Sequence, residues 1–63
     1  MKINELRVGS KYILKFAEIS ALWTYIGGVK NVSKQTLYQF KREDGKRSWF
    51  TIQEVEALKR YET

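Results

Sequence analysis

Polar and apolar residues alternate from Lys11 to Phe16 (KYILKF), with Tyr12, Leu14 and Phe16 on one face and Lys11, Ile13 and Lys15 on the other. Period-two alternation with lysines outward predicts a half-buried antiparallel strand. Ahead of it, Met1 to Ser10 reads as a short lead-in in which Leu6 and Val8 alternate before Gly9-Ser10. The next stretch, Phe16 to Ile26, fits two elements. Phe16, Ile19, Trp23 and Ile26 fall at helical spacing, while Leu22 to Ile26 (LWTYI) has the aromatic and β-branched content of a strand. Gly27-Gly28 is expected to end whichever element forms.

Thr36 to Tyr61 carries a turn signal and a helix-start signal in one run. Asp44-Gly45 lies between two apolar-rich segments and suits a two-residue type I′ hairpin turn, which needs positive φ at both positions. That turn sets Glu43 opposite Lys46 and Phe40 opposite Trp49. Tyr38, Phe40 and Trp49 then share a face, with Arg42 and Arg47 paired near the tip. Leu37, Gln39, Lys41, Ser48, Phe50 and Ile52 fall on the other. The first face is expected to be core; the alternative is an exposed aromatic platform. After the hairpin, Thr51 and Glu54 have capping-box spacing, and Phe50 and Val55 stand at the positions of a hydrophobic staple. Val55, Leu58 and Tyr61 give the following helix a buried stripe, with Glu56 and Arg60 as an outer i,i+4 pair.

A chain of 63 residues is expected to form a single domain, 1–63, near the size at which a core becomes thin. There is no cysteine and no histidine, so disulfides are excluded and zinc would need carboxylates alone. The core must come from the 43% apolar residues, among them two Trp, four Tyr and three Phe. No apolar run approaches the ~18 residues of a membrane span, and MKINELRVGS lacks a signal-peptide core. A cytoplasmic protein with no membrane partner is expected. Asn31-Val32-Ser33 matches a glycosylation sequon, which this setting makes a chance match.

Charge changes the picture. The net charge is +5, and six basic residues (Lys30, Lys34, Lys41, Arg42, Lys46, Arg47) stand against Glu43 and Asp44 between positions 30 and 47. This segment alone carries +4, the footprint of a polyanion partner.

LRVGSKYILKF, the WTYIGG strand, and the YQFKREDGKRSWFT hairpin with its trailing helix resemble small SH3-like barrel proteins. Their order is similar to that of basic archaeal chromatin proteins and of short phage and prophage accessory proteins. The resemblance implies a small, mainly β domain of α+β type: a curved antiparallel sheet, an SH3-like partly open barrel, closed by a C-terminal helix. Strands are expected near residues 6–16, 22–29, 36–42 and 47–51. A second resemblance competes for the same residues. NVSKQTLYQF is similar to the recognition helix of winged helix-turn-helix domains, with Val32, Leu37 and Phe40 at the apolar positions and GKRSWF as the wing. FTIQEVEALK is similar to the opening helix of regulators of the mercury-resistance type.

Without His or Cys, the usual general base and strongest nucleophile are missing, and the seven carboxylates are scattered. Gly27-Gly28-Val29-Lys30 lacks phosphate-loop spacing. The expectation is a non-enzymatic binding domain with no cofactor and no metal. Its candidate contacts are Lys30, Lys34, Lys41, Arg42, Lys46 and Arg47 for phosphates, with Trp23, Tyr25 and Trp49 as stacking groups. The partner is nucleic acid, DNA or RNA. The alternative is an acidic protein surface, as for a phage-type inhibitor of a host or defence protein. An exposed edge strand leaves a homo-oligomer open as well.

Overall fold

The computed structural model describes residues 2–16 and 19–61, with the side chains of residues 15, 16, 19 and 20 outside the description. The expected roles of Phe16 and Ile19 in a stripe, and of Lys15 on the outer face, fall on those side chains.

Five antiparallel strands form one sheet: β1 (Lys11–Phe16), β2 (Ile19–Val32), β3 (Gln35–Arg42), β4 (Arg47–Phe50) and β5 (Lys59–Arg60). The order across the sheet is β4-β3-β2-β1-β5, a meander whose last strand returns to the free side of the first. A 3₁₀ turn at Ile3–Glu5 precedes β1, and one helix, α1 (Ile52–Glu56), lies between β4 and β5. The protein is therefore a small mainly-β domain with one short helix.

β1 occupies the residues that its alternation predicts. The ambiguous stretch after it is strand, because Trp23 and Tyr25 pair with Arg42 and Phe40 of β3 and bury their rings on one face. Gly27-Gly28 does not end that strand. The ladder between β2 and β3 shifts by two residues between Tyr25 and Val29, a bulge that β2 crosses before continuing to Val32. Gly27 takes φ +88°, and a Cβ on Gly28 would lie 2.6 Å from Gln39 Oε1. Gly27 supplies left-handed backbone within the bulge, and Gly28 allows the close approach of Gln39 on β3. A shift of two residues, unlike one, keeps every later side chain on its original face.

β2 and β3 join through Ser33-Lys34, both with positive φ (49° and 67°), in a two-residue turn closed by the Val32–Gln35 pair. The expected recognition helix at 33–41 is this turn followed by β3; Leu37 and Phe40 are strand residues on opposite faces.

The Asp44-Gly45 hairpin forms with a register one residue away from the expected one. Lys41 pairs with Arg47, Phe40 with Ser48, Gln39 with Trp49 and Tyr38 with Phe50. The loop has three residues, Glu43-Asp44-Gly45. The Gly45 N–H donates to the Arg42 carbonyl at 2.9 Å, the Arg42 N–H donates to the Lys46 carbonyl at 2.7 Å, and φ is +97° at Gly45. This is the type I turn with a left-handed glycine that three-residue hairpins use. A one-residue change of register turns one strand over. Phe50 therefore enters the core with Tyr38 and Phe40, and Trp49 takes the opposite face.

The core is Tyr12, Trp23, Tyr25, Phe40, Phe50, Val55 and Leu58, with Ile3, Leu6, Leu14, Ala21 and Tyr38 against it. Phe40 is fully buried at its centre: its ring stacks on Phe50 at 4.7 Å and meets Tyr25 at 5.2 Å and Tyr12 edge-on at 6.2 Å. Such pairs add about 0.5–1.5 kcal/mol each beyond area burial. The buried Tyr12 hydroxyl accepts the Arg7 N–H at 2.9 Å.

The capping box is present. Thr51 Oγ1 accepts the Glu54 N–H at 3.2 Å, and Glu54 Oε1 accepts the Thr51 N–H at 3.1 Å. The helix is shorter than its sequence pattern: it ends at Glu56, and the Leu58 N–H donates to the Val55 carbonyl at 3.0 Å in a tightened last turn. Val55 and Leu58 are buried as expected. Tyr61 is not; it follows β5 and is 41% exposed, and Arg60 leaves the helix to pair with Tyr12. The unpaired edge of β1 draws residues 59–60 into the sheet.

Two stability outcomes follow from these turns. Replacing Ser33-Lys34 by Asn-Gly relieves left-handed backbone at about 1–2 kcal/mol per residue, partly offset by the greater freedom of glycine in the unfolded chain. Ser33→Asn/Lys34→Gly should thus raise stability by roughly 0.5–1 kcal/mol in urea titration. Thr51→Ala should lower it by about 1 kcal/mol in the same measurement, through loss of the cap.

Candidate functional site

The 3₁₀ turn and α1 pack together, and α1 also packs on β3 and β4, at the face where the aromatic rings are buried. The opposite, outer face of the sheet carries the alternate residues. Directly paired residues in an antiparallel ladder share a face, so the register assigns this surface. Lys41 is paired with Arg47 on one side and Thr24 on the other, and Thr24 with Lys11. The Tyr61 N–H donates to the Lys11 carbonyl at 3.0 Å, which brings Tyr61 to the end of the same line. A single row, Arg47–Lys41–Thr24–Lys11–Tyr61, thus runs across β4, β3, β2 and β1 to the residue that follows β5. At about 4.8 Å per strand the row spans roughly 19 Å. Lys11, Lys41 and Arg47 are all exposed, and none of them makes an ion pair among the described residues.

Two further cations stand on this face. Lys59 pairs with Ile13, two residues along β1 from Lys11 and on the same face. Lys30 pairs with Leu37 and carries its Nζ 4.2 Å from the centroid of the Trp49 ring. Among the described residues, the acidic side chain at this surface is Glu43, at the corner where it borders a shallow hollow of about 230 Å³ with Ile13, Leu22 and Tyr61. Lys41 and Arg47 are the notable pair. Like charges directly opposite each other destabilise a ladder, and nothing in the packing demands them there.

The structure divides the expected site residues into two groups. Lys30, Lys41, Arg47 and Trp49 come together on the outer face. Trp23 and Tyr25 do not: both are 8% exposed and belong to the core, which withdraws them as stacking groups. The same one-residue register that carries Trp49 outward separates the hairpin cations. Arg42 and Lys46 fall on the face of Phe40, and Arg42 lies 6.0 Å over the Trp23 ring. Lys34 occupies the Ser33-Lys34 turn at the far end of β3 from that tip. Lys11, Lys59 and Tyr61 were not among the expected residues. The signal for Lys11 lies in the alternation of KYILKF, while Tyr61 was hidden by the helical spacing of its neighbours.

Arg42 is held by Asp44, which accepts from its guanidinium and, through Oδ1, from the Lys46 N–H at 3.0 Å. The Arg42 hydrogen bond foremost, then the Lys46 backbone N–H, holds the Asp44 carboxyl at about 2, below its ordinary 3.8. The same bond raises Arg42. These groups are turn architecture rather than available charge.

Among the described residues no group of three or more acidic side chains could hold a metal ion, and no helix is long and apolar enough to cross a membrane. No protein-family model matches the chain, and neither the curated proteins nor the solved structures contain a match.

The turn makes a pH prediction. A carboxyl with a depressed pKa contributes stability that is present above its ordinary value and lost as pH falls through the depressed one. Asp44→Asn should therefore be less stable than the parent above pH 3.8, and the gap should close as pH falls through about 2. Urea midpoints across that range measure it.

Proposed function

We propose that this protein is a non-enzymatic binding domain that contacts nucleic acid through the outer face of its sheet. The cation row Arg47–Lys41–Lys11 is the observation that carries this reading. Three exposed cations that make no ion pair among the described residues, aligned across one face, suit a chain of phosphates. The directly opposed Lys41 and Arg47 support it further, since a conflict with the stability of the fold is expected where function needs it. The chain's lack of His and Cys supports a binding role over catalysis. The meander with β5 returning to the free side of β1 supports an SH3-like, partly open barrel as its architecture. A reducing, cytoplasmic setting accords with the cysteine-free sequence.

Titration against DNA at 50 and 200 mM salt tests the reading. About three neutralised phosphates give a log–log salt slope of roughly −2 to −3. The double variant Lys41→Ala/Arg47→Ala should flatten that slope to about −1 and weaken binding at low salt. Arg42→Ala should change the affinity little, because its charge is already engaged by Asp44. Absence of binding at low salt refutes the proposal and directs the search to an acidic protein surface, tested by pull-down.

A further inference from the structure

Resting on the nucleic-acid reading, we infer that the ligand is single-stranded and lies along the row, with one base stacked on Trp49 and another on Tyr61. The row is bracketed by aromatics. Trp49 stands two residues along β4 from Arg47, on the same face. Tyr61 stands at the opposite end, next to Lys11, and is 41% exposed. Tyr61 borders two hollows, one with Ile13, Leu22 and Glu43 and one with Gly9, Ser10, Lys11 and Arg60. On this face Tyr61 is exposed and Trp49 half-buried, with Lys30 over the Trp49 ring.

The Trp49 ring is already occupied, and the occupant points to its purpose. Lys30 holds its ammonium 4.2 Å from the ring centroid. Lys30 is exposed, so its cation–π contact is worth only about 0.5–1 kcal/mol and gives way readily. A base stacking on an aromatic side chain is worth more, about 1–3 kcal/mol. An arriving base therefore displaces the ammonium from the ring, and the freed charge stands beside the phosphate of that same nucleotide. Duplex DNA keeps its bases stacked inside the helix and presents no free π-face to either ring. Only an unpaired strand can use the cations and both aromatics together. The span of roughly 19 Å between the outermost strands accords with a site of about four nucleotides or slightly more, at the small end for single-strand binding surfaces.

Oligodeoxythymidines of two to eight nucleotides, and a duplex of matched length, test this by fluorescence and by competition. Oligomers of about four or more nucleotides should bind more tightly than the duplex and should quench tryptophan emission. Trp49→Phe should abolish most of the quenching while retaining much of the affinity, since Trp23 is buried in the core. Trp49→Ala should weaken single-strand binding roughly tenfold or more and leave duplex binding within about twofold, because only the phosphate contacts act there. Tyr61→Ala should weaken binding of the longer oligomers and leave the dinucleotide unaffected. Tyr61 is exposed and Trp49 half-buried, so melting curves check that both variants fold. The inference is overturned if Trp49→Ala and Tyr61→Ala bind single strands as the parent does, or lose the same factor against duplex. In either case the broader reading stands on the salt dependence. If the parent protein binds neither form at low salt, both fall together.

Discussion

Everything on both faces of this sheet depends on how the chain turns between Arg42 and Lys46. Gly45 in the left-handed region, the Asp44 carboxylate on the Lys46 N–H and the Arg42 guanidinium on Asp44 together select a three-residue loop. That loop sets Tyr38 against Phe50, and so places the Phe50 ring on Phe40 at 4.7 Å. Phe50 leads directly into the Thr51 cap, so α1 enters against the core. A two-residue loop would put Trp49 opposite Phe40, where Ser48 now sits. It would also place Phe50 outside and bring Arg47 to the core face. The aromatic core, the helix entry and the outer cation row are three results of one local choice.

The elements that the sequence made legible are those decided by local chemistry. KYILKF has one reading as a half-buried strand, and TIQE has one reading as a capped helix start. Register was not legible, because Glu43-Asp44-Gly45 accommodates either a two-residue or a three-residue loop. The difference lies in which side-chain contacts Asp44 makes in the folded hairpin. The end of the helix was likewise hidden. Val55, Leu58 and Tyr61 have helical spacing, but the unpaired edge of β1 outweighs one more turn of a short helix. Gly27-Gly28 reads as a terminator in isolation, yet a long partner strand turns the same pair into a bulge.

For the candidate site, the net charge pointed to a basic surface, while position along the chain did not indicate which cations share a face. Lys41 and Arg42 are neighbours in sequence and opposites in space. Arg42 is bound to its own turn, and Lys41 is aligned with cations from β1 and β4. Charge clustering along a strand overstates clustering on a surface, since alternate side chains leave by opposite faces. The cations that do come together are brought there by pairing between segments as far apart as Lys11 and Arg47.

Among the described residues β5 contributes two pairs to the sheet, Tyr12–Arg60 and Ile13–Lys59, and joins segments about three-quarters of the chain apart. Closing so long a loop for so few hydrogen bonds makes this the last strand to dock and the first to open. The β1–β2–β3–β4 meander assembles from neighbouring hairpins and does not wait for it. Tyr61 follows directly on that weakest strand. Any ligand that grips Tyr61 therefore also holds the C-terminal segment on β1, and its binding free energy is shared with completion of the fold. Occupancy at one end of the surface and order at the end of the chain become a single equilibrium.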